Sequence, residues 1–412
     1  QADYMNFAPR LGIAWSPTPQ WTVRAGAGIF YVQDTGNPRF DMSRNIQGRI
    51  TSTANIQTHN LTFENPFTGG SANVCGVPVP PFVCVTAPQG LANDSHRRTP
   101  YTEQYELNFQ RQLAANTVLE FGYLGTQGHR LERLISYNLP APAPTGSVTA
   151  RSPAPEFGNI QFLAGVVNSN YHSFSAKLTR RMSAGLTFLG GYTWAKSIDD
   201  GSGIRVLGSD PLKPQDGTCV SCERGLSIFD TRHRLVTSVL YDLPVGKGRK
   251  YLTHGLAGSL IGGWEFSNIW TVSTGFPLSV LDGKDQSNTG HGYDKPNAVP
   301  GQSINLESSQ RSTARWFNTS AVALQPLGTY GNLGRNVVTG PGIFTMDFST
   351  LKNFAFAERR YVQFRFEAFN VLNHPNFGDP NTSLAAGAFG SINSTRSGID
   401  MRELQFSLKV VF

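Results

Sequence analysis

The stretch RELQFSLKVVF (Arg402–Phe412) decides how the rest of the chain is read. Leu404, Phe406, Leu408, Val410 and Phe412 alternate with Glu403, Gln405, Ser407, Lys409 and Val411. In a β-strand, successive side chains point to opposite faces, so this segment has one apolar face and one mostly polar face. The apolar set runs to Phe412, which therefore needs surroundings that are greasy at the ring and wet at the carboxylate.

Composition narrows those surroundings. Hydrophobic residues make up 39% of the 412 and charged residues only 15%, while aromatics reach 11%. So little charge argues against a chain kept disordered by self-repulsion. No run of 18 apolar residues occurs, so no transmembrane helix is encoded. The net charge of +7 is spread without blocks of like sign, which excludes a nucleic-acid interface as a working reading.

Working outward from the C-terminus, period-two alternation recurs in about eleven segments: 6–16, 19–33, 100–112, 116–129, 171–182, 184–197, 229–242, 262–281, 343–354, 360–373 and 401–412. Each is close to the roughly 9–11 residues that a tilted strand needs to cross a bilayer. HGLAGSLIGG (254–263) is the one segment that reads as a helical turn. Short connections (16–20, 113–117, 183–185, 355–360) and one medium connection (243–250) alternate with long ones (34–99, 130–170, 198–228, 282–342, 374–400). A soluble β-sandwich also alternates, but it does not require every second loop to be long. Short turns at one end and long loops at the other are the habit of outer-membrane barrels. The predicted fold is therefore an all-β, antiparallel transmembrane barrel over 1–412, with short periplasmic turns and long extracellular loops. Phe344, Met346, Phe348, Phe364, Phe366, Phe406 and Leu408 are predicted to face lipid. Asp347, Arg365, Glu367 and Lys409 are predicted to face the lumen.

Four stretches carry a family resemblance: RTPYTEQYELNFQRQLAANTVLEFGYLGTQGHRL (98–131), YHSFSAKLTRRMSAGLTFLGGYTWAKSIDD (171–200), FDTRHRLVTSVLYDLPVG (229–246) and FRFEAFNVLNHPNFGDPN (364–381). Together they resemble the C-terminal barrel of TonB-dependent outer-membrane receptors, in particular the Oar-like branch. The alternating end, with Phe406, Leu408, Val410 and Phe412, is similar to the C-terminal signal by which the barrel-assembly machinery of Gram-negative bacteria recognises its clients. The resemblance implies a barrel of about 22 strands filled by a plug. It also implies uptake of a scarce ligand with energy delivered by TonB. About eleven strands would be the C-terminal half of such a barrel. No plug-like segment or TonB-box candidate is found among these residues, and QADYMNFAPR opens without Met, a basic region or an apolar core. The expected partners are outer-membrane lipid, the assembly machinery, a plug in the same full-length chain and, through it, TonB. A plugless passive pore and a surface adhesion protein anchored by its barrel are the competing readings.

Individual constellations are weighed against plainer roles. Cys75 and Cys84 (CGVPVPPFVC) and Cys219 and Cys222 (CVSC) lie in expected loops. A redox CxxC needs a helix N-terminus in a βαβ setting, which is missing, so loop disulfides are the favoured reading. Of three possible pairings, Cys75–Cys84 with Cys219–Cys222 is preferred. SVLDGKDQSNTGHGYDKPN (279–297) gathers Asp282, Asp285, His291 and Asp294 as a candidate ligand loop. Its spacing matches no EF-hand, and turns tied by Asx hydrogen bonds are the plainer alternative. His172 and His233, like His129, His254 and His374, show no metal-ligand spacing. No cofactor is implied. No GxSxG, HExxH or phosphate loop occurs, so the chain is not read as an enzyme. Trp15, Trp21, Trp194, Trp270, Tyr31, Tyr123, Tyr192 and Tyr241 fall near expected strand ends, as interfacial girdles do.

Overall fold

The computed structural model describes residues 5–31, 90–155, 157–204, 209–357 and 360–412. Eleven strands form one continuous sheet: β1 (Arg10–Thr18), β2 (Trp21–Tyr31), β3 (Tyr101–Ala114), β4 (Thr117–Tyr137), β5 (Ile160–Ser183), β6 (Leu186–Asp199), β7 (His233–Asp242), β8 (Trp264–Ser273), β9 (Ile343–Ala357), β10 (Arg360–Phe369) and β11 (Glu403–Val411). Each strand pairs antiparallel with its neighbours in sequence. Two short strands attach at the loop end. Gly225–Leu226 pairs antiparallel with β6. Gly90–Asn93 runs parallel to the start of β5, a local departure from the all-antiparallel expectation.

Turn chemistry sets the hairpins. Ser183 pairs with Leu186, leaving Ala184 and Gly185 as a two-residue loop with φ of 50° and 80°. Positive φ at both central positions is the tight turn whose twist matches that of the flanking strands. β1 to β2 and β3 to β4 are also joined by two residues. The connection at this end between β7 and β8 is longer, 243–263, and contains the short helix Gly255–Ile261. Every second connection, at the opposite end, is long.

The register sorts side chains into two faces, because directly opposed residues share a face. One face runs from Leu11, Ile13 and Trp15 through Phe109, Phe121, Phe174, Tyr192, Phe266 and Phe348 to Phe366 and Phe406. Its rings meet across strands: Phe121 and Phe174 have centroids 6.0 Å apart, Phe266 and Phe348 6.0 Å, and Phe366 and Phe406 5.0 Å. The other face carries hydrogen-bonded polar pairs. Arg24 donates to Gln110 (3.0 Å), Asn108 to Glu120 (2.9 Å) and Gln363 to Asn353 (3.0 Å). Leu124, Leu189, Val236, Leu240, Ile269 and Leu351 are among the apolar exceptions on this second face. Phe344, Met346, Phe348, Phe364, Phe366, Phe406 and Leu408 share the first face, and Asp347, Arg365, Glu367 and Lys409 the second. Among the described residues, β1 and β11 each pair on one side only, and the sheet is not closed.

Candidate functional site

The described parts of the long connections fold together at one end of the sheet. Leu278, Val280, Phe317, Val322, Leu333 and Val338 make a small core within 274–342. Phe389 of the 370–402 connection meets Phe317 edge-on at 5.2 Å. The strand-to-loop exit is tied by the asparagines of FNVLNHPNF. Asn376 accepts from the Phe344 N–H at 2.8 Å and donates to the Phe344 carbonyl at 3.0 Å. Asn370 donates to the carbonyls of His374 and Asp400.

A buried ionic network joins this core to the strand ends. Arg335, its side chain fully buried, bonds the Asp199 carboxylate, the Asp210 carboxylate at 2.7 Å and the Glu223 carbonyl at 2.8 Å. The planar guanidinium suits such a fork because it presents five donors in fixed directions. Glu223 also takes the Lys295 ammonium at 2.8 Å and the Gln215 N–H at 3.0 Å. Burial pushes the Glu223 carboxyl up, but Lys295 and these hydrogen bonds outweigh it and hold it below its usual range. Cys219 and Cys222 are bonded, with Cα atoms 5.3 Å apart, and staple the turn Val220–Glu223 that presents Glu223 inward. Cys75 and Cys84 lie outside the described residues.

The four residues singled out in 279–297 divide. Asp282, His291 and Asp294 are buried, whereas Asp285 is exposed. Asp285 closes its own turn, accepting from the N–H groups of Thr289 (3.0 Å) and Gly290 (2.8 Å). His291 Nε2 faces the Pro214 carbonyl at 2.6 Å, and Nδ1 faces the Ser136 hydroxyl at 3.3 Å. A carbonyl only accepts, so Nε2 carries the proton and Nδ1 accepts from Ser136. Burial lowers His291 to about 4, which leaves it neutral at pH 7. Asp282 accepts from Gln325 at 2.5 Å, and burial raises it to about 6; burial raises Asp294 as well. Among the described residues, no group of three or more His, Cys, Asp or Glu side chains is placed to hold a metal ion.

The chemistry of this network is that of a cap tied by its own ions: Asp199, Asp210, Glu223, Lys295 and Arg335 neutralise one another, while burial lowers Lys213 to about 8. Sequence reasoning missed Glu223, Lys295, Arg335 and Asp199. Their one sequence signal was charge inside long loops of a charge-poor chain. It also passed over the Tyr–His pairs that cross neighbouring strands on the aromatic face. Tyr123 bonds His172 (2.8 Å) and Tyr192 bonds His233 (2.7 Å), with the same diagonal offset.

Comparison with known proteins agrees with this geometry. The family described as "Outer membrane beta barrel domain" matches residues 1–405. No curated protein matches the chain. Among solved structures, the chain is similar to the outer membrane transporter YddB from Escherichia coli, with a TM-score of 0.53 and 11% identity, covering 98% of this chain and 40% of that one. It also aligns with the ferripyoverdine receptor of Pseudomonas aeruginosa (TM-score 0.45, 9% identity, 97% and 32% covered). A third match is the FrpB iron transporter from Neisseria meningitidis (TM-score 0.42, 11% identity, 98% and 39% covered). The chain thus spans two fifths or less of the length of these solved chains. A two-faced antiparallel sheet, short turns at one end, a folded loop cap at the other and a family match over nearly its whole length place the chain in the outer membrane, as a member of the outer-membrane β-barrel domain family.

Proposed function

We propose that this chain is the barrel portion of a TonB-dependent receptor of the Oar-like branch, one that takes up a scarce ligand across the outer membrane. The observation that carries the reading is the pairing of a polar inner face with a packed loop cap at one end. A wet lumen needs the first, and capture of a ligand from outside needs the second. The fold shared with a structure described as an outer membrane transporter supports it. In this reading further strands complete a barrel of about 22, a plug fills the lumen against Arg24, Glu120, Arg365 and Glu367, and TonB acts through that plug. In this reading the protein is a transporter rather than an enzyme. Planar-bilayer conductance of the full-length protein tests this reading. A plugged receptor stays silent at moderate voltage, whereas steady open channels would assign the chain to the passive pores instead.

A further inference from the structure

The connection 243–263 is built inside out. Its helix, Gly255–Ile261, packs through glycine: a Cβ at Gly258 would lie 2.3 Å from the Leu252 carbonyl, and one at Gly262 would lie 2.3 Å from the Gly246 Cα. The large apolar residues point the other way. Leu256 is 84% exposed, and Leu260, Ile261, Tyr251 and Leu252 are all exposed beside it. A helix in water turns its leucines inward, so this one is made for an apolar neighbour.

The sheet says which neighbour. Lys352 stands opposite Trp264 and Phe364, on the aromatic face. Its ammonium donates to the carbonyls of Ser259 (2.5 Å) and Leu260 (2.7 Å), and the Trp264 indole donates to Leu260 at 3.1 Å. These bonds fasten the end of the helix to the lipid-facing side of the sheet, so its leucines continue that apolar surface at the short-turn rim. The same rim collects cations. Arg111, stacked on Trp21 at 4.9 Å, and Arg180 stand on the aromatic face at this end, and Lys247 and Lys250 are exposed in the connection itself. Arg249 is committed to Asp242 at 3.1 Å, Lys250 lies over the exposed Tyr251 ring at 5.2 Å, and both lysines are open to solvent.

We propose that 243–263 is a membrane foot. Leu256, Leu260 and Ile261 enter the periplasmic leaflet of the outer membrane, and Lys247 and Lys250 bind the phosphates of anionic phospholipids there. Amphipathic segments with cations flanking an apolar face bind bilayer interfaces in this way. Each lysine contributes about fivefold to the preference for an anionic headgroup.

The test uses the full-length protein in nanodiscs of phosphatidylcholine with graded phosphatidylglycerol, carrying the photo-crosslinker of Leu256→p-benzoylphenylalanine. Adducts are identified by mass spectrometry. Lipid adducts enriched in phosphatidylglycerol are expected, and the enrichment should fall about fivefold or more in Lys247→Gln/Lys250→Gln, since those side chains are exposed and do not hold the fold. Adducts to protein, whether a second copy or another chain, would overturn the proposal. So would the absence of lipid adducts, or lipid adducts indifferent to headgroup charge and to the two lysines.

Discussion

Arg335 shows how much of the cap rests on single side chains. Removing it leaves the Asp199 and Asp210 carboxylates buried without their shared cation. Breaking a buried pair in this way costs roughly 3–5 kcal/mol. Arg335→Ala should therefore unlock 199–232 and 274–342 to amide exchange in the full-length protein while the sheet stays protected, and unchanged exchange in those segments would refute the role. Asp282 and His291 give the cap a pH dependence of two opposing signs. Folded Asp282 titrates at about 6 against an ordinary 3.8, so its contribution is favourable at low pH and is lost as pH rises from about 4 through 6. Folded His291 titrates at about 4 against 6.5, so its contribution is full above 6.5 and is lost as pH falls toward 4. Asp282→Asn keeps an acceptor for Gln325 and should stabilise the cap at pH 7 by about 1–3 kcal/mol, leaving only the acid-side loss. A cap whose melting at pH 7 is unaltered by the substitution would contradict this. At this scale the sequence was only half legible. The clustering of Asp282, Asp285, His291 and Asp294 marked the loop, but not that three of the four turn inward. Lys295 finds Glu223 72 residues away and Arg335 finds Asp199 136 away, distances over which no local spacing carries information.

Strands were legible wherever one face is apolar and the other polar, which is the condition that writes period two into a sequence. All eleven segments found by alternation became strands of the sheet, with ends displaced by a few residues. The large errors are at β8, which was read to 281 and stops at Ser273, and at β4 and β5, which run on through 130–137 and 160–170, stretches read as loop. There Leu134, Ile135, Leu163 and Val167 are buried among the folded connections. With both faces covered, alternation disappears and the segment reads as irregular. The apolar face itself makes a prediction at this scale. Phe366→Arg places a cation between Thr350 and Phe406, at mid-strand on the lipid side. It should lower the stability of the full-length barrel in bilayers by about 2–4 kcal/mol, read from denaturant unfolding. An unchanged midpoint would mean that the register has been assigned to the wrong faces.

For the whole molecule, the open question set by the fold is what lies beside β1 and β11. An unpaired edge in hydrocarbon leaves backbone groups without partners, at several kcal/mol each, so the membrane form must cover both edges. In the full-length protein, amides of Leu11–Trp15 and of Phe406–Val410 should exchange as slowly as those of β5. Fast exchange in either strand would mean that it stands at a free edge. The class of fold was legible from the rhythm of strands and loops, whereas closure was not, because nothing within a strand records its partner across a barrel seam. Everything rests on the claim that the aromatic face meets lipid and the polar face meets water. Spin labels placed singly at Gln363, Phe364, Arg365, Phe366, Glu367 and Ala368 of the full-length protein in bilayers test it most directly, through relaxation by lipid-soluble oxygen against a water-soluble nickel chelate. Oxygen access should peak at Phe364 and Phe366 and nickel access at Gln363, Arg365 and Glu367, with Ala368, which is buried, closed to both. The inverse phase, or no alternation at all, would contradict the account.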